Sequence, residues 1–106
     1  MPKYLIEASY TADGIKGVLK EGGSGRREAV TAALKSLGGR VESMYYAFGD
    51  VDVYVIVDAP DNVAMAALAM GIAATGTVAL KTTVLMTVEE IDQAGKKTLA
   101  YRAPGR

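Results

Sequence analysis

Apolar and polar residues in the first part of the chain follow a pattern that predicts one strand and then two helical segments. Residues Lys3–Tyr10 alternate between two faces, and a period of two residues is typical of a β-strand. Thr11 is suited to cap a following helix, in which apolar residues recur at helical spacing. The glycine-rich stretch Glu21–Gly25 interrupts that spacing, and a second helical run ends at Gly38 and Gly39, which favour a left-handed cap.

The rest of the chain predicts three strands and two helices. In chain order these are a strand at Arg40–Phe48, a strand at Asp52–Asp58, a helix that Asp61 or Asn62 caps and that continues to about Ala74, a strand at Thr77–Met86, and a short helix opened by Thr87–Glu90 and continuing through Gln93. The order β-α-β-β-α-β is that of the ferredoxin-like split βαβ fold. The sequence therefore predicts an α+β domain in which a four-stranded antiparallel sheet carries its helices on one face, with a short C-terminal helix.

The strands predict apolar side chains on both faces of that sheet. Along Val53–Val57 three valines face one way, and Tyr54 and Ile56 face the other; Val41 and Met44 of the preceding strand are likewise expected on opposite faces. A bare apolar patch of several hundred Å² is more than a soluble monomer usually shows. Covering it recovers roughly 25 cal/mol per Å². We therefore expect a homodimer in which two sheets pack face to face.

Composition narrows the chemistry available to a chain of 106 residues. Twelve basic and twelve acidic residues cancel, so no overall field favours nucleic acid or an anionic membrane. The chain has no Cys and no His, which excludes thiol nucleophiles, disulfides, imidazole bases and the commonest metal ligands. We predict no metal and no cofactor, and we divide the chain into one domain at 1–94 and a basic tail at 95–106.

No segment of the sequence predicts export or membrane insertion. The residues after Met1 lack a basic region leading into a long apolar stretch, so we expect no secretory signal and a cytoplasmic protein. Val63–Leu80 is uncharged and close to the lower limit of length for a spanning helix. It consists largely of small, weakly apolar residues and is interrupted by Thr-Gly-Thr at 75–77, which favours a helix followed by a buried strand.

The predicted sheet brings two charged residues together on its outward face. Glu7 and Lys81 belong to the first and fourth strands, which are antiparallel neighbours in this topology, so they are expected within ion-pair reach. Inside a face-to-face dimer they would line an enclosed cavity with Tyr54, and Tyr10 is a further expected ligand contact. Such a pair is suited to ligand binding or proton transfer, and the alternative is a structural ion pair that fixes the register of the dimer.

A second candidate site follows the glycine-rich stretch. Arg26 and Arg27 begin a helical run, where free N–H groups, the helix dipole and two guanidinium groups favour an anion. The alternative is a break between two helices, with Ser24 as a cap and both arginines solvated, because the spacing of a phosphate-binding loop is absent.

A third candidate is the connection between the second and third strands. Gly49 is expected to take a positive φ there, and Asp50 to hydrogen-bond the backbone of the turn. Asp52 is expected to begin the third strand, with a polar position at a pocket rim as its alternative role. An acid–base pair or a hard-cation site is the chemical alternative, but no third oxygen ligand lies nearby in the sequence.

Three blocks of the sequence together resemble the GYD domain family of small bacterial proteins: KYLIEASYTADGIKGVLKEGGSGRREAV, FGDVDVYVIVDAPDN and KTTVLMTVEEID. The resemblance spans about Pro2 to Asp92 and implies a place among the dimeric α+β barrels, a ferredoxin-like superfamily that pairs sheet to sheet.

The family pattern resembles Gly-x-Tyr-Asp, and Val51 stands here in place of the tyrosine, which puts any role of that phenol in question. The superfamily includes monooxygenases, isomerases, haem-handling enzymes and effector-binding domains; the lack of His counts against haem handling and most isomerase-type proton shuttles.

These features predict a homo-oligomeric domain that binds a small anionic or aromatic molecule between the sheet and a second copy of the chain. The candidate ligand-binding residues are Glu7, Tyr10, Arg26, Arg27, Asp52, Tyr54 and Lys81. One alternative is a cofactor-free enzyme that uses Lys81 or Tyr10 with Glu7 or Asp52 in acid–base chemistry on a small carbonyl or phenolic substrate. The other alternative is a structural assembly protein.

Overall fold

Four antiparallel strands form the centre of the structure, a computed structural model that describes residues 1–106. The elements in chain order are β1 (Lys3–Tyr10), α1 (Ala12–Ser36), β2 (Arg40–Tyr46), β3 (Val53–Asp58), α2 (Asn62–Ala73), β4 (Val78–Leu85) and α3 (Val88–Gly95). The strands lie in the order β2-β3-β1-β4, and all three neighbouring pairs are antiparallel. This α+β arrangement is compatible with the ferredoxin-like fold that the element order predicts.

One face of the sheet is covered by α1 and α2. Inward-facing residues of β1 and β3 pack there with Leu34 of α1 and with Met65 and Leu68 of α2. The hydroxyl of Tyr4, a fully buried side chain, donates a hydrogen bond of 2.7 Å to Oδ1 of Asn62, so the polar end of the ring is satisfied at the start of α2. The uncharged stretch that raised the question of a membrane span is divided between α2 and β4, as its composition indicates.

The two predicted helical segments join into α1 with a kink at a single residue. Gly22 has φ 77° and ψ 166°, a conformation outside the helical region that glycine adopts without a Cβ clash. The break is therefore shorter than the predicted Glu21–Gly25 interruption. At the other end of α1, Gly38 has φ 80° and its N–H donates to the carbonyl of Lys35, while the N–H of Gly39 donates to Leu34, so the left-handed cap is confirmed.

Strand β2 contains an irregularity that the alternation does not predict. Its pairing with β3 shifts between Val41 and Ser43, so that an extra residue enters β2 there. As a result Val41 and Met44 both pack against the core under the helices, and the expectation that they lie on opposite faces is wrong.

Candidate ligand-binding site

The face of the sheet opposite α1 and α2, here called the open face, carries a row of polar and aromatic side chains across all four strands. Glu7 of β1 lies directly opposite Lys81 of β4 and opposite Tyr54 of β3, and Tyr54 in turn lies opposite Tyr45 of β2. Directly opposed residues of antiparallel strands share a face, so these four residues form one continuous row. This row, Tyr45–Tyr54–Glu7–Lys81, is called the cross-strand row below.

The Glu7–Lys81 pair predicted from the topology is present. Nζ of Lys81 lies 4.0 Å from Oε2 of Glu7, at the outer limit of an ion pair. The carboxylate side chain is 23% exposed and the ammonium side chain is 79% exposed, so the pair is anchored on the sheet at its acidic end and open to water at its basic end. A lysine held this loosely can turn towards the anionic group of a ligand while Glu7 accepts hydrogen bonds from the ligand's donor groups.

Apolar residues border the cross-strand row on the open face. Ile56 of β3 lies opposite Leu5 of β1, and Leu5 lies opposite Thr83 of β4, which forms the next row along the strands. Large side chains on this face are open to water, since Tyr54 is 39% and Tyr45 71% exposed. The open face therefore combines apolar and aromatic side chains with the Glu7–Lys81 pair in its middle.

An ion cluster lies at the end of the sheet where β1 begins. Nζ of Lys3 lies 2.7 Å from Oε1 of Glu42 and 2.9 Å from Oδ1 of Asp58, and Nε of Arg40 lies 3.0 Å from Oδ2 of Asp58. Asp58 is buried, and the hydrogen bond from Lys3, followed by the one from Arg40, lowers the pKa of its carboxyl group against the opposing effect of burial. This cluster was not predicted from the sequence. The one sign of the cluster in the sequence is Asp58 itself, a carboxylate at the end of an otherwise apolar strand.

We predict that Asp58→Asn destabilises the protein by about 2 kcal/mol at pH 7, because the buried position loses two charge-assisted hydrogen bonds. The folded-state pKa of Asp58 lies below its unfolded value of about 3.9, so the carboxylate contributes stability that is complete above roughly pH 5 and is lost as the pH falls through the folded pKa. Urea unfolding of both proteins at several pH values should therefore show a difference that shrinks as the solution is acidified below about pH 4.

The matched control for that experiment is Asp50→Asn, because Asp50 is exposed and its side chain makes no hydrogen bond within the chain. We expect its stability to follow that of the unmodified protein at every pH. If Asp58→Asn unfolds at the same urea concentration as Asp50→Asn at pH 7, the bonds from Lys3 and Arg40 contribute nothing to stability.

Tyr10 and Arg26 lie on the other side of the sheet from the cross-strand row. Tyr10 pairs with Val78 on the face that the helices cover, and Arg26 of α1 donates from Nη1 to Oε2 of Glu21 at 3.1 Å. This bond, with a smaller contribution from Tyr10, raises the pKa of Arg26. Burial, followed by the interaction with Tyr10, raises the pKa of the Tyr46 phenol to about 12.

Tyr10, Glu21 and Arg26 are here called the helix-side cluster. A hollow of about 170 Å³ lies beside them, between α1 and the start of β4. Tyr10, Asp13, Glu21 and Arg26 supply its polar lining. The structure thus separates the predicted contacts into two groups, one on the open face and one beneath α1, and a single small ligand cannot touch both. Arg27 is exposed on α1, and its carbonyl accepts a hydrogen bond from Thr31.

Asp52 fastens the connection between β2 and β3 to the end of β1. Its Oδ2 accepts a hydrogen bond of 2.8 Å from the backbone N–H of Tyr10, and its own N–H donates to the carbonyl of Ala8 at 2.9 Å. Strand β3 begins at Val53, so Asp52 lies one residue before the strand that it was predicted to begin. Gly49 is not among the glycines with positive φ, so that part of the turn prediction is wrong.

No helix in the structure has both the length and the apolar character that crossing a membrane requires.

Comparison with known proteins gives one match. Neither the curated proteins nor the solved structures contain a significant match to the chain. The model of the GYD domain family matches residues 4–94. The matched region extends from β1 into α3 and contains the whole cross-strand row as well as the helix-side cluster. The chain therefore belongs to the GYD domain family.

Proposed function

We propose that this protein is a homodimeric binding domain for a small organic molecule, and that two open faces meet to enclose the cross-strand row. The observation that carries the proposal is the position of the Glu7–Lys81 pair in the middle of an uncovered, partly aromatic sheet face. A second copy of the same face would remove Tyr45, Tyr54 and Ile56 from water. Apolar burial of this kind is the main driving force of association.

The chemistry of the row favours a small aromatic carboxylate or phenol as ligand. The ammonium group of Lys81 would pair with a carboxylate or phenolate, and the rings of Tyr45 and Tyr54 would pack against an aromatic body. Glu7 would accept a hydrogen bond from a hydroxyl group of the ligand. Enclosure between two sheets would strengthen each of these interactions, because charges interact more strongly where water is excluded.

Lys81→Met tests this assignment, because methionine keeps much of the apolar stem of lysine and removes the ammonium group. We expect the variant to stay dimeric and to lose at least tenfold in affinity for whichever of benzoate, salicylate or 4-hydroxybenzoate raises the melting temperature of the unmodified protein. Thermal unfolding at increasing ligand concentration measures the affinity, since a ligand present at about 100 times its Kd adds about 2.7 kcal/mol of stability.

Lys20→Met is the matched control, because Lys20 is an exposed lysine on α1 and lies off the open face. It should bind the same ligands as the unmodified protein. If Lys81→Met changes only the stability of the dimer, and no ligand of the panel stabilises the unmodified protein, the Glu7–Lys81 pair has a structural role and the open face is an assembly surface.

A further inference from the structure

The last residues of the chain leave the body of the domain. The C-terminal arm, defined here as residues 88–106, consists of α3 and the segment that follows it. The molecule measures 58 × 32 × 23 Å and has a radius of gyration of 17.0 Å, whereas a compact domain of this length has a radius of about 13 Å. Almost every residue of the arm is exposed, so it contributes little to the core of its own chain.

The exposed side chains of the arm include large apolar groups at both of its ends. Val88 is 75% and Ile91 55% exposed on α3, while Leu99 is 80% and Tyr101 69% exposed in the following segment. Helix α3 is nevertheless well formed at its start. Oγ1 of Thr87 accepts from the N–H of Glu90, and Oε1 of Glu90 accepts from the N–H of Thr87, which completes a capping box. The arm is therefore a short capped helix and a following non-helical segment, and both parts carry uncovered apolar residues.

Charge divides the arm into two halves of opposite sign. The acidic residues Glu89, Glu90 and Asp92 all lie on α3, and the basic residues Lys96, Lys97, Arg102 and Arg106 all lie after it. The ion pairs within the chain lie elsewhere, on α1 and the strands. Opposite charges therefore follow one another along the arm and are available to a partner.

We propose that the arms of two copies of this chain pair side by side in opposite directions, with the acidic half of each against the basic half of the other. A twofold axis through the middle of the arms makes such an interface self-complementary, because each contact occurs twice. The same arrangement brings Val88 and Ile91 of one copy to Leu99 and Tyr101 of the other, and so covers all four apolar side chains. A parallel arrangement would instead place acid against acid and base against base.

Antiparallel pairing places the residues midway between Val88 and Tyr101 close to the twofold axis. Ala94 lies near that midpoint in the sequence, close to the end of α3, and is exposed. The chain contains no cysteine, so Ala94→Cys supplies one thiol per copy, and the two thiols would meet across the axis. We expect glutathione disulfide to convert this variant into a covalent dimer at least tenfold faster than it converts Ser24→Cys, an exposed control on α1. Equal rates would overturn the proposal, because a disulfide requires the two Cα atoms to approach within about 7 Å.

Charge reversal on the Ala94→Cys background tests whether opposite charges hold the two arms together. One variant carries Glu89→Lys with Asp92→Lys, and the other carries Lys97→Glu with Arg102→Glu; Glu90 is left unchanged because it caps α3. In each variant one sign predominates along the arm, with only Glu90 of opposite charge in the first and only Lys96 and Arg106 of opposite charge in the second. Each variant alone should therefore cross-link at least tenfold more slowly than Ala94→Cys. An equimolar mixture should recover the rate and yield the mixed dimer, which mass spectrometry distinguishes. If either variant alone cross-links as fast as Ala94→Cys, or if the mixture stays slow, pairing of the arms by opposite charge is wrong.

This inference stands apart from the proposed function, since cross-linking at position 94 reports contact between arms and is independent of ligand binding on the open face. A protein that binds aromatic acids but fails to cross-link would keep the proposed function and lose the arm pairing. A protein that cross-links at Ala94→Cys but binds none of those acids would keep the arm pairing and lose the proposed function.

Discussion

Gly14→Ala should destabilise the protein by about 3 kcal/mol, in the upper part of the range for overpacking a tight contact. Gly14 is a buried residue in the first turn of α1, and a methyl group added there would overlap the carbonyl oxygen of Thr77 at the start of β4. It would also come within 2.9 Å of Cδ1 in the ring of Tyr10. The backbone N–H of Thr11 donates to the same carbonyl at 2.9 Å, so relief of the overlap requires α1 to move away from the sheet and to lengthen this bond.

Gly17→Ala is the matched control, because a Cβ at Gly17 would find no atom within 4 Å. Removing glycine from a helix lowers the conformational entropy of the unfolded chain, and we expect a gain of about 0.5–1 kcal/mol. The two variants thus make the same chemical change one turn apart and should shift the urea midpoint in opposite directions. If Gly14→Ala lowers the free energy of unfolding by no more than Gly17→Ala changes it, then α1 does not approach β4 as closely as it does in the structure.

The missing side chains of Gly14 and Gly17 also explain the hollow beside Tyr10. Glycine at positions 14 and 17 leaves α1 without side chains on part of the surface that faces the start of β4, and both residues line the hollow. The glycines thus allow the close approach of the backbone at Thr77 and leave space next to it. This feature could not be predicted from the sequence, because a glycine in a helical pattern indicates neither a close contact nor an empty space until the partner surface is known.

The pairing on the open face could be predicted because it depends on strand order and alternation alone. In a βαββαβ arrangement the first and fourth strands are adjacent and antiparallel, and alternation places Glu7 and Lys81 on the same side. The register of eight paired residues then brings them opposite each other. The face on which Tyr45 lies was harder to predict. The bulge between Val41 and Ser43 breaks the alternation of β2, so the residues after it lie on the face opposite to the one expected by counting from Val41.

The ion cluster at Asp58 was not predicted, although Lys3 of β1 and Arg40 of β2 both lie directly opposite Asp58 in the sheet. Its members are separated by 39 residues between Lys3 and Glu42 and by 55 residues between Lys3 and Asp58. Neighbouring strands bring these residues together, but side-chain reach and burial decide which of them bond. A helix cap, in contrast, depends on residues only three apart, and the predicted capping box at Thr87 and Glu90 is confirmed.

The open face is also the surface on which the proposed function depends, and Ile56→Lys is the substitution expected to affect it most. Ile56 lies opposite Leu5 on β1 and opposite Ser43 on β2, in the row next to Glu7 and Tyr54. In a single copy the ammonium group of the new lysine can extend into water along its alkyl chain, so folding should be retained. Between two packed sheets the same group would be enclosed in each copy and would lose its hydration. We expect the dissociation constant of the dimer to rise at least 100-fold, as measured by analytical ultracentrifugation.

Val63→Lys provides the comparison, because Val63 is 77% exposed on α2, on the side of the molecule away from the open face. It adds the same charge and should leave the dissociation constant unchanged. A single sedimenting species of 11.1 kDa for the unmodified protein at micromolar concentration would remove the basis for an enclosed site on the open face. An Ile56→Lys protein that associates as tightly as Val63→Lys would instead place the dimer contact on another surface. The paired arms would then be the first surface to test, because the cross-linking at Ala94→Cys would be unaffected by a lysine at position 56.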